Sequence, residues 1–187
     1  MPARWARCAV LLIGLLTGAA TGNSAYAQSD EIAALNQRIN ELFSAGKYSD
    51  AIPIAEKSLQ LTIAQKGTLH LETATSIARL AELYRFQGRY VEAEPLYRRS
   101  LDITENSLGP DHPQVGTALN QLAALYYAEG RYVEAEPLYK RSLAIREKAL
   151  GPDHRSVGTV LNNLSALYHA QGRYAEVEPH QAHPVDL

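Results

Sequence analysis

From Val115 onward, apolar residues return at three- and four-residue steps: Val115, Leu119, Leu122, Leu125 and Tyr126. That spacing places them on one face of a helix. The stripe recurs at Val157, Leu161, Leu164, Leu167 and Tyr168. A second stripe, Tyr132, Ala135, Leu138, Tyr139, Leu143 and Leu150, predicts another helix behind the first. Gly130 falls between the two, where a left-handed residue ends one helix and permits a tight reversal. Gly109 and Gly151 are expected as C-terminal caps, Pro110 and Pro152 as stops, and Asp111 and Asp153 as caps of the next helix, with Pro113 in its first turn. In the earlier loop Gly67-Thr68-Leu69-His70, Thr68 is the expected cap. Pro53, Pro95, Pro137 and Pro179 lie just inside the second helices, where each predicts a bend.

These elements repeat. Gly46-Lys47-Tyr48, Gly88-Arg89-Tyr90, Gly130-Arg131-Tyr132 and Gly172-Arg173-Tyr174 are each separated from the next by 42 positions. Between the blocks starting at Gly88 and Gly130, about 30 of the 42 positions are identical. The pattern divides the chain into a leader (1–27), four helix-pair units (28–67, 68–109, 110–151 and a shortened 152–179) and an irregular tail (180–187). One hairpin cannot cover its own apolar face, so the units must stack, and Ala93 and Ala135 are small enough for close approach. The last unit has only a stub of its second helix. Its apolar face is expected to lack cover, with fraying or self-association through the uncapped end.

Leu122, Ala123, Tyr126, Gly130, Tyr132, Ala135, Tyr139 and Leu143, followed by Gly-Pro-Asp-His, resemble the tetratricopeptide repeats, in the 42-residue form found in kinesin light chains and many bacterial proteins. The resemblance spans residues 30–179. It weakens in the first unit, where Arg38, Ile39 and Leu42 shift the stripe, and breaks in the last, where Val177 replaces Ala51, Ala93 and Ala135. It implies an all-α, right-handed superhelical solenoid whose first helices line a concave groove that captures a protein or peptide partner.

Asn36, Asn120 and Asn162 occupy equivalent places in the first helices, beside Gln37, Gln121 and Asn163, with Ala78 interrupting the row. Each Asn offers a donor and an acceptor, which suits the main chain of an extended peptide. The family resemblance implies the same role. Thr117, Tyr127, Thr159 and His169, together with Arg79, Glu82 and Arg85 of the second unit, are expected to border that groove and set its specificity.

Chemistry beyond binding finds little footing. Asp111-His112 and Asp153-His154 look like acid–imidazole pairs, but adjacent side chains seldom converge on one substrate, and a loop before a helix needs a capping residue. His180 and His183 lack the further ligands of a metal site. No phosphate loop, His-Glu-x-x-His or nucleophile-elbow pattern occurs. The chain therefore reads as a non-enzymatic scaffold without cofactor or metal, the alternative being an accessory subunit of a periplasmic enzyme complex.

The start of the chain changes the picture of where it works. Arg4 and Arg7, the apolar stretch from Cys8 to Leu16 and Ala25-Tyr26-Ala27 read as a secretory signal with cleavage before Gln28. The stretch is too short to cross a bilayer, so an exported, periplasmic or secreted protein without stable membrane insertion is expected. Cleavage would remove the only Cys, Cys8. The remaining acidic excess gives no reason to expect nucleic acid as a partner.

Overall fold

The computed structural model describes residues 13–176, with side chains from residue 27 onward. Residues 1–12 of the expected leader, Val177, Pro179, His180 and His183 lie outside that range. Seven α-helices follow in order: α1 (Ile13–Ser44), α2 (Tyr48–Lys66), α3 (Leu71–Phe86), α4 (Tyr90–Leu108), α5 (Pro113–Ala128), α6 (Tyr132–Leu150) and α7 (Arg155–Ala170). A 3-10 turn at Tyr174–Glu176 stands where the next helix would begin. Each helix packs on its chain neighbours, and α3, α5 and α7 also touch in series. The result is an all-α solenoid of antiparallel hairpins. No described helix is long and apolar enough to cross a membrane.

The first-helix stripes become core, and of the second-helix stripe Ala135 and Tyr139 are buried while Tyr132, Leu138 and Leu143 are partly buried against them. Val115, Leu119, Leu122, Leu125 and Tyr126 are buried, as are their counterparts on α7. Ala51, Ala93 and Ala135 are fully enclosed and let each second helix approach its first. Leu150 departs from its stripe and is 40% exposed at the end of α6. Three serines absent from the apolar pattern also recur at the 42-residue spacing, namely Ser58, Ser100 and Ser142. They are buried, and Ser100 and Ser142 donate to the carbonyls of Ala74 and Gly116 at 2.8 and 2.6 Å. Each satisfies its own hydroxyl while stapling the second helix of a unit to its first.

The turns follow the expected glycines. Gly130 has φ +76°, and the Arg131 amide reaches back to the Tyr126 carbonyl at 2.8 Å, closing α5 with a Schellman bond. Gly151 ends α6 at φ +86°. The helix starts correct the expectation. His70, His112 and His154, not Thr68, Asp111 and Asp153, are the N-caps, and each imidazole Nδ1 accepts the amide two residues on at 3.1–3.2 Å. The Gly-Pro turn extends one residue further than the capping rule assumed, so Asp111 is freed to pair with Lys148 at 2.8 Å. Helices α2, α4 and α6 run on through Pro53, Pro95 and Pro137 without ending.

The fourth unit also differs from expectation. Val157, Val160, Leu161, Leu164, Leu167 and Tyr168 are all buried, so α7 presents no bare apolar stripe. Where α3 and α5 place the enclosed Ala81 and Ala123, α7 places the half-buried Ser165, a polar residue at the position that a following helix would cover.

Candidate functional site

Consecutive first helices meet at three junctions, which differ in residue content. Between α3 and α5 two recesses open. The first, of about 260 Å³, is lined by Leu71, Thr75, Ala78 and Arg79 of α3, Thr104 of α4, and Thr117, Ala118 and Gln121 of α5, among others. The second, of about 460 Å³, holds Glu82 and Arg85, Tyr97, Asn120, Gln121 and Tyr127, and Tyr139, and reaches Asn163 of α7. The groove is thus floored by second helices and walled by first helices.

At the other two junctions the array's own side chains bond across the space equivalent to the first recess. Between α1 and α3, Asn36 Oδ1 accepts from Arg79 Nη1 at 2.5 Å and from Ser58 Oγ at 3.0 Å. Between α5 and α7, the place of Thr104 is taken by Arg146, only 7% exposed. Its guanidinium donates to Thr117 Oγ1 at 3.2 Å and to the Ser156 carbonyl at 3.0 Å. Its Nε is buried without a partner, and among the described residues no carboxylate pairs with it. Burial pulls this guanidinium below its usual range. Gly116 makes room for it, since a Cβ there would stand 3.2 Å from Arg146 Cγ.

The groove's electrostatics are mixed. Burial pushes the Glu82 carboxyl up against the opposing pull of Arg85 and Arg79. Tyr97, enclosed beneath them, is raised to about 12 by the same desolvation. Arg85 packs its guanidinium 4.3 Å above the Phe86 ring, stands 4.0 Å from Glu82, and has its Nε buried without a partner. Two arginines therefore face one carboxylate that burial disfavours as an anion.

Of the residues singled out in the sequence, Arg79, Arg85, Thr117, Asn120, Gln121, Tyr127 and Asn163 come together around these recesses, with Glu82. Asn36, Asn162, Thr159 and His169 do not. Asn36 is held by Arg79 and Ser58, Asn162 is exposed, Thr159 bonds back to the Arg155 carbonyl, and His169 packs edge-on against Tyr174. The Asn row is also not a row of free amides, because Asn163 donates to Asn120 Oδ1 at 3.0 Å. Tyr97, Tyr139 and Arg146 escaped the sequence reading, the tyrosines because they belong to the core stripe. Arg146 carried one signal: it stands 42 residues after Thr104 and 84 after Thr62.

A second set of charges clips the units on another face. Glu94 accepts from Arg131 at 2.8 Å, from the Tyr126 hydroxyl at 2.9 Å and from Arg98 at 3.0 Å, with Arg131 stacked 4.1 Å from the Tyr126 ring. Glu136, Arg173, Lys140 and Tyr168 repeat the arrangement. Burial opposes the charge on Glu94, yet the hydrogen bonds from Arg131, Tyr126 and Arg98 hold it at about 2. Arg173 does the same for Glu136, against its burial and with help from Lys140, also to about 2.

Comparison with known proteins places this architecture. The tetratricopeptide repeat family model matches residues 30–106, 76–148 and 114–183. Among solved structures, BtubC (BKLC) from P. vanneervenii superposes with a TM-score of 0.71 at 21% identity, covering 80% of this chain and 60% of BtubC. A Podosopora anserina structure of nearly identical, kinesin light chain-like TPR repeats gives 0.72 at 23% identity, over 80% of this chain and 71% of that one. The chain thus spans about three-fifths of the length of BtubC. No curated protein matches it.

Proposed function

Because the chain belongs to the tetratricopeptide repeat family, whose members generally serve protein–protein interaction and are typically not enzymes, we propose that it is a non-catalytic scaffold that captures an extended protein segment between α3 and α5. The observation that carries this reading is the contrast among junctions. At two of them the array's own side chains bond across the space that corresponds to the first recess, whereas around α3 and α5 Arg85, Gln121, Tyr127 and the tyrosine floor line open space. A groove of polar groups over an apolar floor can hold a main chain and still discriminate side chains. Arg79 and Arg85 against Glu82 favour a segment with acidic character.

In this reading the chain works outside the cytoplasm, on the strength of Arg4, Arg7, the apolar stretch and Ala25-Tyr26-Ala27. N-terminal sequencing of the native protein should begin at Gln28. A soluble protein retaining Met1 would remove that part of the proposal.

A photo-reactive residue at Ala124, in the second recess, tests the site. It should crosslink a partner in intact cells, whereas the same group at the exposed Val133 should not. Equal crosslinking from both positions would move the binding surface elsewhere.

A further inference from the structure

Removal of a leader after Ala27 would cut the chain inside a helix. In the uncut chain α1 runs without a break from Ile13 to Ser44, so the amides of Gln28, Ser29, Asp30 and Glu31 have the carbonyls of residues 24–27 as their helical acceptors. Cleavage takes those acceptors away and makes Gln28 the first residue of the helix. The new end is anchored. Glu31 pairs with Lys57 of α2 at 2.6 Å, and Ser29 Oγ accepts from Gln65 Nε2 at 2.7 Å. Gln28 is half-buried, whereas Ala27, Ser29 and Asp30 around it are exposed. The residues that follow suit a helix start, since serine is a capping residue and Asp30 and Glu31 place negative charge where the helix dipole is positive. The α-ammonium that cleavage creates on Gln28 does not suit it, being a positive charge at the positive end of the helix.

We infer that Gln28 is a modification site, which closes to pyroglutamate once the leader is removed and gives the mature chain a neutral head on α1. This rests on the reading of residues 1–27 as a cleaved leader. In the reaction the free α-amine of Gln28 attacks Cδ of its own carboxamide. The N–Cδ bond forms, the Cδ–Nε2 bond breaks, and Nε2 leaves as ammonia with the proton that the amine gives up. The product is a five-membered lactam, and neither an oxidant nor a second substrate enters. The nucleophile is the uncharged amine, and a helix end that disfavours the ammonium raises the uncharged share. Gln37, Gln60, Gln65 and the glutamines beyond them carry their nitrogen in a peptide bond and cannot react in this way. The same holds for Gln28 until the leader is cut, so the lactam is a chemical record of processing. It replaces a charged group with one neutral N–H donor, which leaves the favourable charges of Asp30 and Glu31 unopposed at the head of the helix.

The full chain, expressed with its own leader and recovered from the producing cells, is weighed intact and sequenced from its N-terminus. Most molecules should have the mass of residues 28–187 less one ammonia and should resist stepwise degradation from the amino end. Treatment with pyroglutamate aminopeptidase should remove residue 28 and let degradation read from Ser29. Gln28→Asn, whose shorter side chain would have to close a four-membered ring, should keep its full mass and a readable amine. A chain of residues 28–187 at full mass, read from Gln28, would overturn the modification and leave the leader standing. A block that persists in Gln28→Asn would trace it to another group and also overturn the assignment. A chain that retains Met1, or starts anywhere other than residue 28, would remove both readings.

Discussion

The junction between α3 and α5 and the junction between α5 and α7 are built from nearly the same sequence, yet the first recess is open at one and its counterpart is filled by Arg146 at the other. Their scaffolding is shared: the serine staples Ser100 and Ser142, the enclosed Ala93 and Ala135, and the carboxylate clips of Glu94 and Glu136. What differs is a handful of residues around the groove, with Thr104 against Arg146, Ala78 against Asn120, Ala118 against Val160 and Gln121 against Asn163. Stacking is therefore specified redundantly, and the space between stacked units is set by residues that stacking does not need.

The widest expected effect tests what the junctions share. Glu94 and Glu136 are held at about 2 when folded, well below an ordinary glutamate near 4.5. A depressed folded value means that the stabilisation is complete above the unfolded value and is lost as pH falls from about 4.5 towards about 2. Urea titrations across that range should show stability declining, and Glu94→Gln with Glu136→Gln should flatten the decline. An unchanged slope in the double variant would show that the clips are decorative.

Thr104→Arg would make the open junction imitate the filled one. Its first recess should close, while the close fit seen at Arg146 should be missing, because position 74 carries an alanine where the other junction has Gly116. Crowding of that kind costs about 1–3 kcal/mol. Adding Ala74→Gly should recover part of the loss in denaturant midpoint, and no recovery would mean that Gly116 is not what seats Arg146.

Cap removal should hit both junctions alike. His112→Ala and His154→Ala should each cost about 1 kcal/mol, and His112→Asn should restore it, because asparagine is a strong N-cap. Equal loss in the Ala and Asn variants would assign the histidines to packing instead. The smallest effect separates the junctions again. Gly158→Ala, with nothing within 4 Å of the added methyl, should stabilise α7 by about 0.5–1 kcal/mol, and Gly116→Ala should lose stability because its methyl meets Arg146, Ile145 and Ser142 at 3.2–3.4 Å. Equal gains in melting temperature would show that Arg146 gives way freely.

The helices, their turns and the unit length were legible because each is written several times over, so that Gly130 or Leu122 is corroborated by its counterparts. The site was legible only in outline. Aligning units by sequence pairs Asn120 with Asn162, but stacked helices are offset, and the residue that faces Asn120 is Asn163. Whether His112 or Asp111 caps α5 turns on one residue of loop length, which composition does not encode. Arg146 reads as a surface charge on its own helix and is buried only because the start of α7 lies across it.

That offset bears on how such an array changes over generations. The side-chain bonds between first helices at two of the junctions join a residue of one unit to the residue 43 places on, one more than the repeat length. Unequal crossing-over between near-identical repeats adds or removes whole units and leaves the staples and clips in register, but it redeals the partners across the groove. Excising residues 110–151, for instance, would bring Ala78 opposite Asn163 and Thr104 beneath Thr159, leaving an asparagine unpaired beside a new opening. A single recombination event would thus hand the protein a different binding surface without asking the fold to accommodate one new residue.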